Sequence, residues 1–275
     1  MRFTRGARLG VEIAMRRQLL FVITAIALSA CGDTSVPISE NGYLDDCSAG
    51  GIWRAADGTV ALIDEDHRTH LVEPDGTQFV GEVIGVRYNQ RDCLADREKS
   101  ELHAVLPLGV ALPDGSTSGK GRVDASWVKR SGQLQLTANV KTSTGGIYPV
   151  AFLGTYDALH ASGSSKAIIA GSYRSTASLE SEILTIDSAG RMFSQNAATG
   201  CIINGTIDPV DGRYDVYRVT LNYSACQGAL STLNGLPVKG LATYDGGKNP
   251  AELMLALDVG EGTQHYSMVL LEHRT

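Results

Sequence analysis

Along most of this chain short apolar runs alternate with polar residues, and Gly, Asn and Asp separate the runs. The clearest case is residues 133–141, where Leu134, Leu136, Ala138 and Val140 alternate with Gln133, Gln135, Thr137, Asn139 and Lys141. Period two with one apolar face marks an antiparallel strand with one side in a core. The pattern predicts strands at Thr59–Ile63, Gln78–Tyr88, Gln133–Lys141, Tyr148–Thr155, Ile183–Asp187, Cys201–Ile207, Tyr214–Tyr223, Leu236–Tyr244, Leu253–Val259 and His265–Glu272. Asp75-Gly76, Asp114-Gly115, Asp211-Gly212 and Asp245-Gly246 are hairpin-type turn signals. No long stretch has the 3.6-residue period of an amphipathic helix. Many short strands with frequent turns predict an all-β chain of barrels or sandwiches.

The pattern also repeats. Gly51-Ile52-Trp53-Arg54 is echoed 120 residues later by Gly171-Ser172-Tyr173-Arg174. Each tetrad is followed by an apolar run, an acidic turn and a second strand, and each half ends in comparable strands, 147–156 and 266–273. The segment 157–166, DALHASGSSK, is small and polar, as a linker is. These features predict two tandem antiparallel β domains, 47–157 and 170–275, joined by 158–169.

Ahead of them lies Met15 to Cys31, MRRQLLFVITAIALSAC. Arg16 and Arg17 form a cationic start, and Leu19–Leu28 is an apolar run too short to span a bilayer but suited to a secretory signal. With Leu28-Ser29-Ala30-Cys31 it resembles a bacterial lipoprotein signal ending in a lipobox. That resemblance implies a signal peptide over 1–30, cleavage before Cys31 and acylation of its thiol and new amine. It also implies a lipid anchor in the outer membrane, since Gly32 rather than Asp follows the Cys, with the body in the periplasm. Residues 1–14 precede a second Met with a complete signal and are expected to be a mis-assigned start. The polar segment 31–46 reads as a tether.

A second resemblance lies in the body. Gly51-Ile52-Trp53 opening a series of antiparallel strands resembles the Gly-x-Trp that begins lipocalin-like barrels, whose Trp packs across one end of eight strands. Gly171-Ser172-Tyr173 is then the degenerate second copy. The resemblance implies tandem lipocalin-like barrels, with an apolar small molecule or lipid as one possible ligand.

Setting Cys31 aside as lipidated leaves Cys47, Cys93, Cys201 and Cys226, an even number in an oxidising compartment. Of the three pairings, Cys47–Cys93 and Cys201–Cys226 are preferred because each lies within one half. Residues 1–30 carry five arginines and one glutamate, so without them the net charge moves from −6 to −10. An acidic body argues against nucleic acid, which needs a basic footprint, and suits a basic protein partner.

Catalytic signatures are thin. His67 and His70 beside Asp64, Glu65 and Asp66 have a metal-like composition, but strand positions three apart point to opposite faces. The run reads instead as a solvated hairpin tip, and no metal or other cofactor is expected. Ser126 and Lys129 match Ser-x-x-Lys, which needs a helix and partner motifs this chain lacks. There is no Walker A loop, HExxH or dinucleotide fingerprint. Tyr and Arg are favoured at protein interfaces, which singles out Arg213, Tyr214, Tyr217 and Arg218, with Asp64 and Asp66 as acidic counterparts for a basic partner. The expectation is therefore a non-enzymatic, membrane-anchored binding protein. Its most specific form is an immunity or inhibitor protein against a secreted antibacterial effector. The alternatives are a carrier of an apolar ligand and an envelope hydrolase.

Overall fold

The computed structural model describes residues 47–88, 92–128, 132–175, 183–261 and 264–275. The signal segment, Cys31 and the tether 31–46 lie outside the described residues. The described residues, from Cys47 on, fall within one compact unit.

The first half contributes ten strands: β1 Gly51–Ala55, β2 Val60–Ile63, β3 Arg68–Val72, β4 Gln78–Glu82, β5 Gly85–Arg87, β6 Asp92–Ala95, β7 Glu101–Pro107, β8 Ser118–Val128, β9 Gln133–Thr142 and β10 Ile147–Tyr156. Following the antiparallel pairings from β1 through β2, β3, β4, β7, β8, β9 and β10 returns to β1, which closes an eight-stranded barrel. The β5–β6 hairpin is extra and leans on β8. The second half contributes β11 Gly171–Ser175, β12 Ile183–Ile186, β13 Arg191–Gln195, β14 Ile202–Pro209, β15 Tyr217–Ser224, β16 Pro237–Asp245, β17 Glu252–Glu261 and β18 Gln264–Arg274. These pair in chain order, and β18 closes on β11, a second eight-stranded ring. Closure removes the free edges that an open sheet must protect.

Local chemistry explains the hairpins. Asp57, Asp75, Asp114, Asp187 and Asp245 each accept a backbone N–H two residues on, folding the chain into tight turns. Gly76 takes φ +87° in one of these turns, a conformation that glycine alone enters without strain. Gly81 allows β4 to press on β7, since a Cβ there would sit 2.0 Å from the Glu101 carbonyl oxygen. Much of the acidic excess is thus turn chemistry.

The 120-residue echo is structural. Trp53 Nε1 donates to the Ala49 carbonyl at 3.0 Å, and the Tyr173 hydroxyl donates to the Ile169 carbonyl at 2.6 Å, four residues back in both halves. Trp53 packs edge-on against Tyr156, and Tyr173 edge-on against Tyr244. Both disulfides are present, Cys47–Cys93 fastening the start of the first barrel to β6 and Cys201–Cys226 joining the start of β14 to the loop after β15.

The halves share a third core. Ile52, Val60, Leu62 and Val72, on the outside of the first barrel, meet Val216, Leu241, Met254 and Ala256 from the second. Gln78 is buried in this seam. Its amide donates to the Leu257 carbonyl at 3.0 Å and the Ser267 hydroxyl at 2.7 Å, while its oxygen meets His70 Nδ1 at 2.8 Å. A short parallel pairing sets Tyr266 and Ser267 of β18 beside Leu106 and Pro107 of β7.

Three readings need correction. Gln78–Tyr88 is not one strand, because after Glu82 the Val83 N–H turns to the His67 carbonyl and β5 pairs with β6. Tyr214–Tyr223 begins as a strand only at Tyr217, because the Tyr214 N–H closes a turn on the Asp211 carbonyl. The segment 158–169 carries a 3-10 turn at Ala158–Ser162 and a one-turn helix, α1 Lys166–Ile169, with His160 fully buried. It is packed into the body because Asp157 caps the turn and His160 stacks on Tyr214.

Candidate functional site

The two barrel interiors differ. In the first, Trp53, Phe79, Trp127, Leu134, Leu136 and Phe152 belong to one buried cluster that fills the section. In the second, large side chains concentrate where Tyr173, Tyr217 and Tyr244 lie, and a cleft of about 250 Å³ opens elsewhere. Its walls come from inward positions of β12–β15 and β18: Leu184, Ile203, Tyr223, Met268 and Leu270. Ser194 is the reason the space exists, since it takes an inward position on β13 between Leu184 and Ile203 in the pairing register. A 3-10 segment, Gly228–Leu233, roofs the cleft with Leu230 and Leu233. Its ends are fixed by the Cys201–Cys226 bond and by Asn234, which exchanges hydrogen bonds with the Cys226 N–H and carbonyl at 2.9 and 3.0 Å.

The lining also carries polar groups: Ser175, Ser194, Asn196, Thr199 and the carboxylate of Glu272. Glu272 is 5% exposed and lies opposite Ser175 across the β11–β18 pairing. The Tyr223 hydroxyl donates to Met268 Sδ at 3.1 Å, joining two residues of the wall. An apolar cleft with a few polar groups in its lining is the general form of small-molecule sites.

Of the residues singled out for partner binding, Arg218, Asp64 and Asp66 meet across the two halves. Arg218 Nη2 reaches Asp64 Oδ2 at 3.0 Å and Asp66 Oδ2 at 2.7 Å. Asp64 is fully buried, and its other oxygen accepts the Asp66 and Arg68 N–H groups at 2.9 Å. The acidic run is therefore no solvated hairpin tip, because its cation arrives from the other barrel. Tyr217 is buried with its hydroxyl against Ser165. Tyr214 stacks on His160, their ring centroids 4.7 Å apart, and Arg213 lies exposed over the Tyr214 ring while pairing with Asp211. Of the six, Arg213 and Asp66 present most of their charge to solvent.

The remaining motifs are also accounted for. His70 faces Gln78 inside the seam, where burial holds its imidazole below its ordinary value and hence neutral. Among the described residues no group of three or more His, Cys, Asp or Glu is placed to hold a metal. Ser126 lies on β8, and Lys129 falls outside the described residues.

One titration stands out. Asp215 is buried beside the seam, and loss of solvent pushes its carboxyl up to about 6, although its Oδ2 accepts from the Thr243 hydroxyl at 2.5 Å and the Tyr244 N–H at 2.9 Å. A folded-state value above the unfolded one favours the protonated fold, so this contribution is complete below the unfolded pKa and is lost as pH rises through about 6. Asp215→Asn, which mimics the neutral acid, is expected to gain on the wild type by up to roughly 3 kcal/mol between pH 4 and pH 7. Urea unfolding of both proteins across that range checks this; a difference independent of pH rejects it.

The chain matches no protein-family model, no curated protein and no solved structure.

Proposed function

We propose that this chain is a non-catalytic, lipid-anchored binding protein of the cell envelope, whose second, lipocalin-like barrel holds a small apolar molecule carrying one polar end. The observation that carries the reading is the cleft of about 250 Å³ in that barrel, lined mostly by apolar side chains with Ser175 opposite Glu272 among its polar groups. Its size lies just under the range typical of drug-sized ligands, so it suits a fused aromatic ring or a short acyl segment. The filled first barrel serves as the support and the junction to the tether, fastened at Cys47. The anchor supplies place and the roofed barrel supplies capture.

2-Naphthol, with an apolar body and a single hydroxyl, is a suitable probe. Calorimetry is expected to give saturable one-to-one binding. Leu270→Trp, which fills the cleft, is expected to weaken binding by about tenfold or more, equivalent to about 1.4 kcal/mol. Ile147→Ser, on the outside of the other barrel, is expected to leave it unchanged. Absence of saturable binding, or equal binding by the filled variant, overturns the reading.

A further inference from the structure

We infer that the outer face of β8–β10 docks an extended acidic segment of a partner protein. Outward positions on β9 are polar, as a solvated barrel wall requires: Gln133, Gln135, Thr137, Asn139 and Lys141. On the neighbouring β10 the outward positions are Ile147, Pro149, Ala151 and Leu153, an unbroken apolar row about 20 Å long. Ile147 is 62% exposed and Leu153 57%. The seam with the second barrel lies on β1–β4, so this row belongs to a face that the fold itself does not cover. Contiguous exposed apolar surface of this kind marks interaction sites.

Charge selects the occupant. Beside the row runs a groove of about 570 Å³ with Pro149 and Ala151 along one side and Arg97, Lys120, Arg122 and Lys141 around it. Its two carboxylates are already engaged: Asp124 with Arg97 at 3.2 Å, and Glu101 with His103 at 3.1 Å and Lys120 at 3.8 Å. Arg122 donates Nη1 to the Arg97 and Glu98 carbonyls and lies opposite Glu101 in the β7–β8 register, so Glu101 is shared between Arg122, Lys120 and His103. Lys141 has no ion pair among the described residues. Four cations against two carboxylates make a locally positive groove on a chain whose net charge is −6. The register also sets Lys120 directly opposite Lys141 on the solvent face, a like-charge pair that weakens a sheet until an anion lies between.

Shape selects between anionic occupants. Pro149 and Ala151 are short, the lysines and arginines beside them are long, and the recess between accepts an extended chain; a flat bilayer would reach only Ile147 and Leu153. The closed barrel offers no free edge, so recognition runs through side chains rather than through an added strand.

The test is fluorescence anisotropy of the purified full chain with a labelled (Glu-Val)4 peptide, against (Lys-Val)4, at low and physiological salt. The acidic peptide is expected to bind at least about tenfold more tightly, with a preference that shrinks as salt screens it. Lys120→Glu with Lys141→Glu is expected to abolish that preference, and Leu153→Ser to weaken binding severalfold without altering its salt dependence. Unfolding midpoints verify that each variant folds, and Arg213→Ala, on another face, is expected to bind as wild type. Equal binding of the two peptides, or indifference to the double reversal, overturns the proposal. So does a chain that ignores the acidic peptide yet binds phosphatidylglycerol vesicles through the same lysines. None of these outcomes bears on 2-naphthol binding in the other barrel.

Discussion

Trp53→Ala is expected to lower unfolding stability by about 3–5 kcal/mol, the range for removing a large buried aromatic. Trp53 is 1% exposed and sits in the register between Ala61 on β2 and Tyr156 on β10, where the first barrel closes on itself. Truncation removes its packing on Tyr156, 5.4 Å away between centroids, and opens a cavity whose walls belong to rigid strands. It also leaves the Ala49 carbonyl without its indole donor. Trp53→Phe keeps most of the volume and loses chiefly the hydrogen bond, so about 1 kcal/mol is expected. Denaturant midpoints at constant slope measure both. For a chain of this size the alanine variant is expected to melt roughly 10 °C lower. A loss under about 1 kcal/mol for alanine would show that Trp53 is a peripheral aromatic and not the barrel's closing group.

How far the sequence reveals this molecule follows from which interactions are local. Residues 133–141 show their alternation plainly, and β9 alternates exposed and buried along its whole length. Gly51-Ile52-Trp53 and its echo are legible because each closing group bonds the carbonyl four residues back, within one short stretch. β8 is harder to see: its first inward positions are Gly119 and Gly121, so its apolar face starts only at Val123. The seam left a signal of another kind. Val60–Ile63 is apolar at every position, the mark of a strand buried on both faces, and reading it as an ordinary strand conceals the neighbouring barrel. The cleft leaves almost no trace. It depends on a serine at one inward position and on a roof whose two ends meet only through Cys201–Cys226 and Asn234. The β10 segment 147–154 is apolar on both faces in sequence, so which of its rows faces solvent requires knowing how the strand sits in the barrel.

Arg218→Ala is expected to cost about 3–5 kcal/mol, through stability and not through the loss of a partner contact. The guanidinium joins two carboxylates that lie 154 and 152 residues earlier in the chain. The two contacts are unequal. Asp66 is 63% exposed at its side chain, so its bond is a surface pair worth about 0–1 kcal/mol. Asp64 is fully buried, and removing Arg218 strands its charge in the seam with only two backbone N–H groups as compensation. Asp66→Ala is therefore expected to be nearly silent. Asp64→Asn combined with Arg218→Ala is expected to recover part of the loss, because the stranded charge is then absent. Arg218→Lys keeps the charge but not the length and planar geometry that bring Nη2 between the two acids, and falls between. A double-mutant cycle read by urea unfolding separates these terms, and near-additivity of the Asp64 and Arg218 changes would reject the buried pair. Because Arg218 stands on β15 of one barrel and Asp64 beside β3 of the other, the coupling this cycle measures is also the energy with which charge fixes the two barrels in one orientation.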